Sequence, residues 1–263
     1  MIRLVISNQR GGVAKTTTTH TLARYFADEG SKVLLIDADP QGSLGAVLGL
    51  RPSNYLHQFV IRNYTLQDCI VEAYPGIHVL CSNRETARTE QMLIGMPDRE
   101  TVFDQLFSSV DQNYDVVLID VAPSVSMLQT CALVYARQML IPVGMDPLSL
   151  NGLGANFETT RLLHTTFQLD VRPLAILPVM LDRRLHMTAV IMDSLVELAE
   201  RFHTPVLHGI RVDSAVAKAN RERQFLADYD PNGRAVEDYR IAAQELARLF
   251  QDQRDVERLQ ISA

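Results

Sequence analysis

The sequence predicts an α/β protein in which a mostly parallel, twisted sheet is flanked by helices on both faces. Apolar runs alternate with amphipathic segments along the chain, the pattern of successive βα units. Most of those runs are β-branched or leucine-rich at every position, as strands buried on both faces must be. Two of them end in aspartate and a third breaks on paired glycines, and the carboxyl ends of parallel strands are where such sheets hold ligands.

The first strand, residues 3–7, runs into Asn8-Gln9-Arg10-Gly11-Gly12-Val13-Ala14-Lys15-Thr16-Thr17, and a helical pattern follows over 15–28. A loop of this kind turns backbone N–H groups inward at the positive end of a helix, which is how a polypeptide holds phosphate oxygens. Lys15 would then meet the outer phosphates and Thr16 a magnesium ion. The ordinary P-loop pattern is not met, because it places glycines where this chain has Gln9 and Ala14. Only three of the 25 basic residues are lysines, which leaves 22 arginines. Lys15 remaining lysine against that background points to a need for a compact ammonium.

The second strand, 32–37, ends in Asp37-Ala38-Asp39-Pro40-Gln41-Gly42, with both carboxylates on one side of an extended chain. One can serve the metal and the loop lysine while the other reaches the water that attacks the terminal phosphate. Alone, the same residues read equally as a turn or a helix cap. Residues 51–98 are the least regular; they allow short helices such as 65–72, a strand at 77–81 and a mobile surface loop at 85–95. After a helix over 99–110, the apolar run 115–120 ends in Asp120, the form of a Walker B strand whose aspartate holds magnesium. Magnesium keeps several waters, so Thr16 and Asp120 suffice as protein ligands. Helices over 128–136, 153–167, 187–201 and 235–253 alternate with strands at 138–142, 172–177 and 205–208, within one domain spanning 1–263.

Composition bounds the function. No run of about 18 apolar residues is present to span a membrane, and the first residues enter a strand without the layout of a secretory signal, so a cytoplasmic protein is expected. Cys69, Cys81 and Cys131 are widely spaced and read as buried small side chains. The seven histidines lack metal-ligand spacing. A net charge of -6 argues against wholesale polyanion binding but permits a local basic patch.

Three stretches together resemble the ParA-type ATPases of the ParA/MinD family, P-loop ATPases with a deviant Walker A motif. They are Gly11-Gly12-Val13-Ala14-Lys15-Thr16-Thr17-Thr18, Val33 through Asp37-Ala38-Asp39-Pro40-Gln41-Gly42, and Val117-Leu118-Ile119-Asp120-Val121-Ala122-Pro123-Ser124. The segment from Pro147 to Leu153 and Tyr229-Asp230-Pro231 are also similar, so the resemblance covers nearly the whole chain. It implies ATP and Mg2+ as cofactors and a homodimer formed on ATP binding, in which each subunit's loop lends a cation to the other's ATP. The family uses lysine there; the matching residue is Arg10. It further implies that Gly11, Gly12, Val13, Ala14, Lys15, Thr16 and Thr17 line the phosphates, that Thr16, Asp37 and Asp120 serve the metal, and that Lys15, Asp39 and Arg10 carry catalysis, with Asp39 orienting the water. Ala14 restricts the loop if its φ is positive and is harmless if that residue is already helical.

By position, Arg211 and Asp213 match the family's adenine-side loop, without its usual proline and asparagine. Arg183, Arg184, Lys218, Arg221 and Arg223 are candidates for nonspecific DNA, with a solvated, salt-bridged surface as the alternative. Lys218 and Arg221 share a face if 215–225 is helical. The resulting expectation is a nucleoid-associated switch that segregates or positions a cargo through a ParB-like or analogous adaptor. Competing readings are a MinD-like membrane switch, which needs an amphipathic basic tail that residues 246–260 do not supply; an iron–sulfur ATPase, which needs two cysteine ligands per subunit; and a nucleotide switch with little turnover.

Overall fold

A computed structural model describes residues 1–108 and 112–261. Seven strands form one sheet: β1 (Ile2–Ile6), β2 (Val33–Asp37), β3 (Ile70–Tyr74), β4 (Ile77–Leu80), β5 (Val116–Asp120), β6 (Gln138–Gly144) and β7 (Arg172–Val179). Their order is β3-β4-β2-β5-β1-β6-β7, and every pairing is parallel except β3 with β4. Alternate residues of the central strands feed opposite cores. Val5, Leu34, Ile36, Val117 and Ile119 enter one, while Leu4, Ile6, Val33, Leu35, Val116 and Leu118 enter the other.

The second of these cores is covered by α1 (Lys15–Asp28) and α2 (Ser43–Val47), and later by α10 (Ser214–Glu222), α11 (Leu226–Tyr229) and α12 (Arg234–Ile261). The first is covered by α3 (Leu56–Arg62), α4 (Leu66–Cys69), α5 (Thr86–Ile94), α6 (Val102–Phe107), α7 (Met127–Ala136), α8 (Pro147–Phe167) and α9 (His186–Arg201). The doubly covered parallel sheet is therefore as the residue pattern predicts.

Five local expectations are corrected. Residues 65–72 are not one helix: Thr65 caps the single turn of α4 in a reciprocal capping box with Asp68, and the chain then enters β3. Pro75-Gly76 reverses it, Gly76 adopting φ 83°, and β4 returns antiparallel. The expected surface loop at 85–95 is mostly helix α5, held by buried Thr86, Thr89 and Leu93. Residues 205–208 do not form a strand. Pro205 has no N–H to donate, and the segment pairs with β7 only through a bridge from Val206 to Ile176. The C-terminal helix runs from Arg234 to Ile261, longer than 235–253. The helix predicted over 99–110 is a 3-10 turn, Arg99–Thr101, followed by α6, and its last two positions lie outside the described residues.

The three cysteines are buried, and burial pushes their thiols up, Cys69 to about 11 and Cys81 and Cys131 to about 12. Cys131 donates its thiol to the Arg99 carbonyl at 3.1 Å. Among the described residues no helix is long and apolar enough to cross a membrane.

Candidate nucleotide site

Sheet register brings three distant residues to one level. Ile6, the last residue of β1, lies beside Asp120 of β5, which in turn lies beside Asp37 of β2. The loop leaving β1 therefore starts at the height of both carboxylates. Gly12 takes φ 76° within it, and Ala14 takes φ 56°, ψ 27° immediately before α1. The left-handed branch of the Ala14 alternative is thus the one realised, at a cost of roughly 1 kcal/mol that glycine would avoid. Among the described residues the N–H groups of Gly11, Gly12, Val13 and Ala14 donate to no protein acceptor, so they remain available to an anion beside the helix N-terminus. Val13 turns its side chain into the core, 3% exposed, and leaves its backbone to the loop.

Lys15 is buried and donates to the carbonyls of Asn8 and Arg10, both at 3.1 Å, so its stem folds back under the loop. Burial lowers its pKa, and Asp120 and Asp39 oppose that shift. Thr16 donates its hydroxyl to Asp120 Oδ2 at 2.6 Å, while Asp120 Oδ1 is buried with no hydrogen-bond partner. Burial pushes Asp120 up to about 7, against the pull of Thr16 and Lys15. A buried carboxylate with one orphaned oxygen and a hydroxyl on the other is a donor set that a hard cation satisfies, so these residues fit magnesium. No group of three or more His, Cys, Asp or Glu suited to a metal occurs among the described residues.

Asp37, expected beside the metal, also holds a turn. Its two oxygens accept the N–H groups of Asp39 and Leu44, both at 3.1 Å, so it holds the turn after β2 and the first residues of α2. Burial and the neighbouring Asp120 charge raise its pKa well above the usual carboxylate range. The turn it holds presents Asp39 half-exposed, with one oxygen accepting the Gln41 N–H at 2.9 Å and the other without a partner among the described residues.

Arg10 is exposed and its guanidinium leans toward Asp146, 3.9 Å away, with both side chains 44% exposed. Such a pair contributes less than about 1 kcal/mol, so the guanidinium is free to turn elsewhere. Thr17 is 9% exposed and accepts from the Asn220 amide at 3.4 Å.

A polar network beneath the loop escaped the residue pattern. Asn8 donates to the Pro142 carbonyl at 2.7 Å and accepts the Arg10 N–H at 2.8 Å. Ser7 donates to Asn156 and accepts from Gln129, both at 2.9 Å, and Gln9 donates to Thr159 at 3.0 Å. These bonds fix the loop to β6, α7 and α8. Gly152 is needed for that docking, since a Cβ there would lie 2.2 Å from Asn8 Oδ1 and 3.2 Å from the Arg10 nitrogen. The available signal was fully buried polar residues, Gln129 and Asn156, on apolar helix faces.

The adenine-side and basic candidates are more dispersed. Arg211 clamps Asp238 of α12 through its Nε and Nη2, at 2.8 and 2.7 Å, which occupies its guanidinium with a carboxylate 1% exposed. Asp213 caps α10 by accepting the Ala215 N–H at 3.0 Å. Lys218 and Arg221 do share the exposed side of α10, as helical spacing predicts. Arg184 is paired with Asp182 and Arg221 with Glu222, while Arg183 and Lys218 are exposed with no acidic partner among the described residues. His20 is a core histidine: burial pushes it down to about 4, and its ring meets Phe225 edge-on at 6.0 Å.

Comparison with known proteins places this geometry. Residues 1–172 match the AAA domain family AAA_31. The chain is 30% identical over 254 residues to the chromosome-partitioning ATPase Soj of Thermus thermophilus, which covers 95% of this chain and 97% of that protein. It is 28% identical over 250 residues to the sporulation initiation inhibitor protein Soj of Bacillus subtilis, with 93% and 97% covered. Cobyrinic acid a,c-diamide synthase from Mycobacterium smegmatis, solved with ADP and magnesium, superposes with a TM-score of 0.81 at 28% identity, over 95% of this chain and 96% of that one. With its glycine loop, its Thr16–Asp120 pair and its doubly covered sheet, the chain belongs to the AAA_31 family and is a ParA/MinD-type ATPase.

Proposed function

We propose that the chain is an ATP-dependent dimerising switch that binds nonspecific nucleoid DNA in its ATP state and segregates or positions a cargo through an adaptor that stimulates hydrolysis. The observation that carries the reading is that one loop, with N–H groups free among the described residues, adjoins Lys15, on which the Asp120 and Asp39 charges act, and the Thr16–Asp120 bond, while Arg10 is exposed on it. In this reading the loop N–H groups and Lys15 hold the phosphates, and Thr17 donates its hydroxyl to the inner ones. Thr16 and Asp120 hold magnesium, which when bound neutralises charge on the phosphate oxygens. Asp37 fixes the turn that presents Asp39, whose unpartnered oxygen orients the attacking water. Arg10 exchanges its weak pair with Asp146 for the phosphate of a second subunit. Two copies of the α10 basic face then act together on DNA, so a modest preference for the dimer changes affinity widely. The chromosome-partitioning role named for the Soj relative of Thermus thermophilus supports this assignment.

Asp39→Ala tests it. The variant is expected to bind ATP as the wild type does, to hydrolyse it about 100-fold more slowly, and to remain on DNA after ATP loading, measured by phosphate release and by retention on immobilised DNA. Undiminished turnover assigns the water elsewhere. A wild-type rate already as low as that of the variant favours a nucleotide switch with little turnover, a reading the strained Ala14 supports.

A further inference from the structure

Helix α10 carries Lys218 and Arg221 into solvent, yet the structure anchors it on the nucleotide site at three points. The Asn220 amide donates to Thr17 Oγ1 at 3.4 Å. Phe225, just beyond the helix, packs edge-on against His20 of α1 at 6.0 Å. Arg223, which ends the helix at φ 58°, lays its stem over Gly49, so that a Cβ on Gly49 would lie 2.9 Å from Arg223 Cδ. Gly49 follows α2, the helix whose first residues Asp37 holds. Ala215 and Ala219 are buried beneath α10, in the same apolar core as Leu22 and Ala23 of α1. Asn220 is the one residue of α10 with a side-chain hydrogen bond to the phosphate loop and its helix among the described residues.

Donor and acceptor accounting gives that bond a direction. A hydroxyl has one O–H to give and can accept at the same time. Asn220 uses only the accepting side of Thr17, leaving the O–H for a phosphate oxygen. A hydroxyl that donates becomes a stronger acceptor, and 3.4 Å lies at the long end of hydrogen-bond distances, so there is room for the contact to tighten. We propose that Asn220 is a positioning residue that couples phosphate binding at Thr17 to the orientation of the basic helix α10. The proposal rests on the reading that Thr17 meets the nucleotide and α10 meets DNA. Lys218 and Arg221 flank Asn220 on the same helix, so a shift of Asn220 toward Thr17 moves both cations with it.

The test uses the full chain as wild type, Asn220→Ala and Asn220→Asp, with Mg-ATP and without nucleotide, and reads amide hydrogen exchange across α10, ATP affinity and DNA retention. In the wild type, ATP is expected to slow exchange in α10 by about fivefold or more. Asn220→Ala keeps ATP affinity within about threefold but loses the ATP-dependent protection of α10, because only the accepting side of Thr17 is vacated. Asn220→Asp, which can only accept, takes the Thr17 O–H away from the phosphate and lowers ATP affinity by about tenfold or more. A merely structural Asn220 would instead lower thermal stability in both variants and change ATP affinity alike in both. Wild-type protection of α10 persisting in Asn220→Ala overturns the coupling, whatever the DNA result. ATP-dependent protection lost in Asn220→Ala, with DNA retention indifferent to ATP even in the wild type, upholds the coupling and removes the DNA function.

Discussion

Lys15→Ala is expected to abolish ATP binding, with a loss of affinity of about 100-fold or more. The ammonium is buried beside the loop carbonyls of Asn8 and Arg10, where the charges of Asp120 and Asp39 act on it. A charge-assisted contact of this kind contributes up to about 3 kcal/mol, which is roughly 100-fold in affinity. Removing it also frees two carbonyls that close the loop. Lys15→Arg should fail as well, because a planar fork cannot occupy a pocket shaped for a compact ammonium. Calorimetric titration with Mg-ATP measures both, and a thermal melt confirms that each variant is folded. Affinity within a few-fold of wild type in Lys15→Ala would remove the nucleotide site from this loop.

Asp120→Asn is expected to lose Mg-dependent hydrolysis by about 100-fold or more and, without nucleotide, to be the more stable protein. Burial raises Asp120 to about 7 in the fold from the ordinary value of 3.8. The folded state therefore keeps a proton that the unfolded chain releases, and stability falls as pH rises from about 4 to about 7. Above that, an ionised Asp120 costs on the order of 4 kcal/mol relative to a solvated carboxylate, a cost asparagine does not carry. The variant's melting temperature should exceed wild type at pH 8, and the gap should close toward about pH 3, below the ordinary value of 3.8, where the carboxyl is protonated in both states. With Mg-ATP the order should reverse, since ligand bound only to the fold stabilises the wild type. Equal melting temperatures at pH 8 would show that Asp120 is compensated within the apo protein.

Much of the site was readable because its residues sit at fixed distances along local motifs. Gly11 to Thr16 lie in one loop and the first turn of the helix after it, and the Thr16–Asp120 contact follows from two strand ends meeting in register. The roles decided by tertiary packing were not readable. The spacing of Asp37 and Asp39 suggests a pair of site carboxylates, and it does not tell that the first also accepts two backbone N–H groups of its own turn and the start of α2. Arg211 matched an adenine-side position, but its partner, Asp238, lies 27 residues on in α12. Gly152 matters only because α8 presses on Asn8 and Arg10. The fold shows the same division. The apolar central strands declared themselves, whereas β3 is half-buried, includes Glu72 and depends on the Pro75-Gly76 reversal. The stretch 205–208 looked like a strand until Pro205 limited its pairing with β7.

In the proposed function, nucleotide state governs a nonspecific hold on DNA. The most direct measurement is retention of the wild-type chain on random-sequence DNA with ATP, with ADP and without nucleotide, across a salt series. The account predicts retention to higher salt with ATP than in the other two states, with a steep salt dependence from phosphate contacts. Identical curves in all three states would contradict it.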